Sequence, residues 1–267
     1  MHTVFVVFHE GFSPELTRAD TNLCTHIAVN QAKDKYLFEA GSRHPIPHNV
    51  VCEYELPWHD SSLQGNGYME TSVYVHLLHN EHVYKGSAFV GVTQYDMTWS
   101  TDATNQVRAL QSEEDVLFMP AGGSIVTNGK WHRLMFANEF PLNFVMSSYN
   151  KHFGTTCTVH DLESRPMALW QSAVMHRTVF EKLTGWLEVL VGEVTPWANR
   201  APYKTHWGFL GGLTERAESI FYALQKHLRC TAWKLVHSNK VVSAMRIVKE
   251  QYGSKPSPAS KLQEKCV

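Results

Sequence analysis

The chain has 267 residues, 43% hydrophobic and 18% charged, which is enough apolar side chain to bury one sizeable core. Its 24 Lys and Arg against 25 Asp and Glu leave a formal net charge of −1, with no basic surplus to track a phosphate backbone, so nucleic acid is not an expected partner. Cys24, Cys52, Cys157, Cys230 and Cys266 are odd in number and widely spaced with no C-x-x-C. The expectation is reduced thiols in a cytoplasmic protein, not a zinc knuckle or a dithiol centre. No run approaches the ~18 apolar residues of a spanning helix, and residues 1–8 lack the basic and long apolar parts of a secretory leader.

Residues 3–8 are β-branched and aromatic and end at His9-Glu10-Gly11, which predicts a buried first strand with a loop at its carboxyl end. A second strand is expected over 24–30. The stretch 43–66, rich in Pro, His, Asp and Gly, reads as one long loop. Met69, Val73 and Leu77 recur at helical spacing, predicting a helix over 68–80 capped near Asn66. Strands follow over 88–92, stopping at Gln94-Tyr95-Asp96, and over 116–119, closed by Pro120 and Gly122-Gly123. Helices are expected over 130–139 and 143–153 around Pro141, then a strand over 168–175 and a helix over 178–191. The helix 213–228 carries Leu213, Ala217, Ile220, Phe221 and Leu224 on one face, and 232–236 reads as an edge strand. From Gly253 the chain is polar and rich in Pro and Ser, so the organisation is a single domain over 1–252 with a disordered tail over 253–267.

Strands alternating with helices imply an α/β domain with a mostly parallel sheet, whose ligand site lies beyond the carboxyl ends of its strands. Those ends carry His9-Glu10, Gln94-Tyr95-Asp96 and the stretch 120–123.

The stretch 67–75 (Gly-Tyr-Met-Glu-Thr-Ser-Val-Tyr-Val), then Leu78-His79-Asn80, then 89–96 (Phe-Val-Gly-Val-Thr-Gln-Tyr-Asp), resembles a family of bacterial capsular-polysaccharide and lipopolysaccharide glycosyltransferases, long catalogued as a domain of unknown function. In that family a Glu-Leu-Thr opens a helix ending in Lys-Asn, and a strand then finishes in a Gly-hydrophobic-x-His-Tyr-Arg-Arg box. Downstream, 171–175 with Phe180 and Trp186-Leu187, and Gly208-Phe209-Leu210 leading to Glu215-Arg216, follow the family's later blocks in order. Gln94 stands where the family has His, and Asp96-Met97 where it has paired arginines, so the use of a metal is expected to differ. The stretch 54–60 and the missing anchor resemble sugar transferases encoded by large DNA viruses of algae, one of them similar to a xylosyltransferase acting on capsid N-glycans; host cytoplasm would then be the location.

The resemblance implies a GT-A-like nucleotide-sugar-binding domain, with a mixed, mostly parallel sheet flanked by helices. It would move a UDP-linked sugar such as xylose to a glycan or glycoprotein acceptor, with inversion. Asp96 just past its strand would hold a divalent cation, Mn²⁺ or Mg²⁺, at the donor diphosphate; its plain reading is a turn former. His9, Glu10, Glu70, Gln94, Tyr95 and Arg216 are the other donor-binding candidates. For each there is a bland account: a core histidine, a helix-start charge, a ring covering the core, or a structural Glu215–Arg216 pair. A group taking the acceptor proton is needed, and the loop acids Asp60, Asp161 and Glu163 are its candidates, against ordinary solvated carboxylates. His160 and His206 are further loop ligands of the same kind. His76, His79 and His82, three apart, drift across a helix face with no partner to complete a zinc set. The rival readings are a carbohydrate-binding protein without catalysis and a metal-dependent phosphohydrolase.

Overall fold

A computed structural model describes residues 1–8, 20, 22–29, 50–128, 140–200 and 209–237. His9, Glu10, His206, residues 43–49, the expected helix 130–139 and the tail 253–267 lie outside the described residues. In chain order the strands are β1 His2–Phe8, β2 Cys24–Ala28, β3 Val50–Cys52, β4 Phe89–Gln94, β5 Met97–Thr98, β6 Asp115–Ser124, β7 Pro166–His176, β8 Arg229–Ala232 and β9 Val236–His237. The helices are α1 Ser61–Gly65, α2 Glu70–His79, α3 Thr101–Arg108, α4 Ile125–Asn128, α5 Phe140–Phe153, α6 Arg177–Arg200 and α7 Phe209–Leu224.

Seven strands form one sheet in the order β3-β2-β1-β4-β7-β6-β8. Every neighbouring pair is parallel except those made by β7, which runs antiparallel to both β4 and β6. The apolar run of β1 is buried on both sides. Phe5 and Val7 face the core made with α2, α5, α6 and α7, whereas Val4 and Val6 face a second core with Ala103 and Val107 of α3 and with Trp99 and Trp233. Trp186 of α6 sits at the centre of the larger core, edge-on to Tyr149 and close to Phe153 and Phe221. Gly91 is required where β4 meets β7, because a Cβ there would lie 2.7 Å from Val174 Cγ2 and 2.8 Å from Ala173 O.

The expected long loop 43–66 is, in its described part, the short strand β3, a 3-10 turn over Glu53–Glu55 and helix α1. Three residues at a sheet edge show no periodicity, so Val51 is recognisable as strand only through its pairing with Ile27. Asp60 caps α1 by accepting the Ser62 N–H at 2.9 Å. Asn66 closes that helix instead of opening the next one; α2 starts after Met69, whose φ is 53°. β6 continues through Pro120 to Ser124 with irregular register against β7. The expected helix 143–153 begins at Phe140, with Pro141 in its first turn where the missing N–H breaks no bond. The edge strand expected over 232–236 divides into β8 on the main sheet and β9, which pairs with β5 in a separate two-stranded sheet.

Candidate active site at the carboxyl ends of the strands

β4 ends beside β1, where the Tyr95 N–H donates to Val7 O at 2.9 Å, and the chain turns sharply through Asp96 into β5. Asp96 is 8% exposed. Its Oδ2 lies 3.0 Å from His237 Nε2, and its Oδ1 is buried with no hydrogen-bond partner among the described residues. His237 arrives from the far end of the chain because β9 pairs with β5, placing Met97 opposite His237. The approach to β9 is fastened to α3: Trp233 Nε1 donates to Ala103 O at 3.2 Å, Gln106 Nε2 to Ala232 O at 2.8 Å, and Lys234 N to Gln106 Oε1 at 2.8 Å. On the other side of the imidazole the Trp170 ring stacks nearly parallel, with centroids 5.0 Å apart.

Trp170 stands in a bulge of β7. The β6–β7 register passes from Phe118 opposite Ala173 to Pro120 opposite Ala168, so β7 accommodates extra residues over 169–172. Trp170 and Gln171 take φ of 56° and 42°, a left-handed conformation that side chains other than glycine avoid at a cost of roughly 1–3 kcal/mol each. The surroundings hold them there. Gln171 is buried, its Nε2 donates to Thr71 Oγ1 at 2.8 Å, that hydroxyl meets Thr214 Oγ1 at 2.5 Å, and the Tyr74 hydroxyl donates to Gln171 O at 3.3 Å. The bulge is thereby tied to α2 and α7. The start of α7 is in turn seated on the entry to α2: Gly211 N–H donates to Gly67 O at 3.1 Å, and a Cβ on Gly211 would come within 3.1 Å of Met69 Cγ and Tyr68 O.

This seating gathers carboxyl groups. Glu70, in the first turn of α2, is 7% exposed; its carboxyl accepts from Gln94, and burial, with the charges of Glu215 and Asp96 adding, pushes it up to about 7. Glu215 accepts the Trp170 N–H and is also pushed up to about 7, by burial, with Arg216 pulling it down. Glu218, 1% exposed, accepts from the Tyr74 and Tyr222 hydroxyls and is raised by burial to about 7. Asp96, Gln94, Glu70 and Glu215 therefore lie together, while the signal for Glu215 in the sequence was no more than an acid beside an arginine on a helix.

The other expected residues are placed as follows. Tyr95 is partly buried and packs against Phe8, Ala28 and Cys52, the ends of the first three strands. Arg216 is partly buried, with Nη1 donating to Gly212 O at 2.5 Å within its own helix, and burial lowers its pKa. Asp60 caps α1. Asp161 is fully exposed, and its Oδ2 accepts the Thr158 N–H at 2.8 Å in a capping box of the turn Val159–Leu162. Glu163 is exposed and pairs with His160 Nδ1 at 3.1 Å. Asp60, Asp161 and Glu163 thus bond to Ser62, Thr158 and His160, neighbours within three residues of each.

Among the described residues one group of three, Glu53, His59 and His76, has ligand atoms within 4.8 Å of one another. Its chemistry is already satisfied. His76 Nε2 accepts the Asp60 N–H at 2.9 Å, so the proton sits on Nδ1, 2.6 Å from Glu53 Oε1. Glu53 also accepts from Ser72 Oγ at 2.6 Å and from Gln64. A metal on Nδ1 would need a proton on Nε2, which would then face the Asp60 N–H, donor against donor.

No protein-family model and no curated protein matches the sequence. Among solved structures, the apo WbbM bifunctional glycosyltransferase superposes with a TM-score of 0.56 over 89% of this chain at 11% identity. The match takes in 45% of that chain, so this protein spans less than half the length of WbbM. The apo mouse xyloside xylosyltransferase 1 matches with a TM-score of 0.40 and 10% identity, over 89% of this chain and 97% of that one. The fold is thus a mixed α/β, GT-A-like one, with the mostly parallel sheet flanked by helices that the sequence implies.

Proposed function

We propose that this chain is a nucleotide-sugar-dependent glycosyltransferase that moves a UDP-linked sugar such as xylose to a glycan or glycoprotein acceptor with inversion. The observation that carries the reading is Asp96: a buried carboxylate just past β4, held on one oxygen by His237 and left without a partner on the other. A buried acceptor without a donor is costly, and functional sites are where such a cost is tolerated. A carboxylate suits a divalent cation such as Mn²⁺, and Asp96 would hold it through Oδ1 while His237 orients the carboxylate by its bond to Oδ2. Such an ion supplies charge neutralisation for a departing diphosphate. The chain's own residues do the rest. Tyr95 covers the strand ends beside the donor, Gln94 and Glu70 shape the floor, and Arg216 sits on the helix at the pocket wall. His9 and Glu10, which follow β1 in the chain, are the remaining donor-binding candidates of this reading. No helix among the described residues is long and apolar enough to cross a membrane, and a cytoplasmic location is part of this reading.

The test is a thermal-shift screen against UDP-xylose, UDP-glucose, UDP-galactose and GDP-mannose, each with and without Mn²⁺. A donor at ~100 times its dissociation constant stabilises the native state by about 2.7 kcal/mol. A shift that needs Mn²⁺ and vanishes in Asp96→Ala supports the reading. No shift with any of the four sinks it and leaves the non-catalytic carbohydrate-binding reading, whereas a shift independent of metal removes Asp96 as a ligand.

A further inference from the structure

Three carboxyl groups meet where α2, α7 and the β7 bulge come together, and they differ in access. Glu70 and Glu218 are sealed, at 7% and 1% exposure; Glu70 accepts from Gln94, and Glu218 takes the Tyr74 and Tyr222 hydroxyls on Oε1 while Oε2 is buried without a partner among the described residues. Glu215 is partly exposed. Its carboxylate receives the N–H of Trp170, the first of the two left-handed residues, and one backbone donor leaves further lone pairs of the carboxylate for a substrate hydroxyl. A continuous line of contacts joins Glu215 to the strand end: Trp170 gives its amide to Glu215 and its ring to His237, and His237 bonds Asp96. The strained bulge thus ties one residue to both Glu215 and the end of β4, as bulges beside active sites re-aim a side chain.

We propose that Glu215 takes the proton of the acceptor hydroxyl, and that the Trp170–Gln171 bulge positions it to do so. The inference rests on the transferase reading in its inverting form. In the step, the acceptor oxygen bonds to the anomeric carbon, the bond from that carbon to the diphosphate oxygen breaks, and its electron pair leaves with the diphosphate. The hydroxyl proton passes to the Glu215 carboxylate. Glu215 must be ionised beforehand. Facing it are Arg216 from its own helix, which favours the ionised form, and the acids Glu218 and, from α2, Glu70, which oppose it. A carboxyl raised by burial to about 7 is a stronger base than one in water.

The experiment uses the full chain with whichever of the four sugars gives the largest Mn²⁺-dependent shift, and follows nucleoside diphosphate release with water as acceptor. In Glu215→Gln the donor-induced shift is expected to persist while kcat falls ~100-fold or more, and the acid limb of the pH profile disappears. Glu215→Asp retains the limb at reduced rate, which keeps the test open if the Gln variant does not fold. A fall in kcat below tenfold, an acid limb that survives in Glu215→Gln, or loss of the donor shift overturns the assignment. So does disappearance of the limb in Asp60→Asn, Asp161→Asn or Glu163→Gln in place of Glu215→Gln. If the wild type responds to no donor, the transferase reading has failed before Glu215 is reached.

Discussion

Among the described residues, the buried Glu53–His76 pair and the partly buried Asp96–His237 pair are finished differently. At Glu53–His76 every group has a partner: Glu53 takes His76, Ser72 and Gln64, and His76 takes the Asp60 amide on its second nitrogen. At Asp96–His237 one carboxylate oxygen is satisfied and the other is buried and empty-handed, while the imidazole lies flat against Trp170. The first pair fastens the 53–60 segment to α2; the second lies at the end of β4 where ligands of parallel sheets bind. A spatial cluster of ligand-type residues is therefore a poor guide by itself. Proton positions, and an unfilled lone pair that lies at the carboxyl ends of the strands, separate the scaffold from the site.

That contrast can be broken by mutation. Glu53→Ala strands a buried imidazole, a hydroxyl and an amide, and the expected loss is about 3–5 kcal/mol of unfolding free energy in a urea titration. Asp96→Asn is expected to change the stability of the ligand-free protein by less than about 1 kcal/mol, yet to abolish the roughly 2.7 kcal/mol of donor- and Mn²⁺-linked stabilisation expected in a thermal-shift assay. Equal destabilisation by the two substitutions would erase the distinction between the two pairs.

The pH dependence sharpens it further. Glu70, Glu215 and Glu218 rise from an ordinary 4.5 to about 7 in the folded state. Between those values the unfolded chain has lost protons that the folded chain keeps. Their contribution to stability is therefore whole below pH 4.5, declines as pH rises towards 7, and is flat above. His26 acts the other way: burial lowers it to about 4, so its contribution is present above pH 6.5 and fades as pH falls towards 4. Unfolding midpoints measured from pH 4.5 to 8 should fall less steeply in Glu218→Gln than in the wild type; an unchanged slope would mean that Glu218 is ionised throughout. The smallest effect belongs to a third pair, His79 with Glu188 at 2.6 Å, whose side chains are 36% and 40% exposed. His79→Ala is expected to cost at most about 0.5 kcal/mol, and less in 0.5 M salt, because solvent screens an exposed pair.

What the sequence determined by itself is what short-range chemistry controls. The apolar runs of β1, β2 and β4, the buried face of α7 and an acid just past β4 are all written in spacing over a few residues. Periodicity also marked β7, but not its direction, since an antiparallel strand buried between two neighbours carries the same apolar run as a parallel one. The segment 53–65 read as loop because its helices are short and its carboxylate–histidine network closes only in three dimensions. Tertiary structure alone decided that His237, 141 positions beyond Asp96, is its partner, that Trp170 leaves the strand to lie on that ring, and that Glu215 meets Glu70. Such contacts depend on how far-separated segments pack, and the packing of β9 on β5 and of α7 on the start of α2 leaves no local periodicity from which they could have been read.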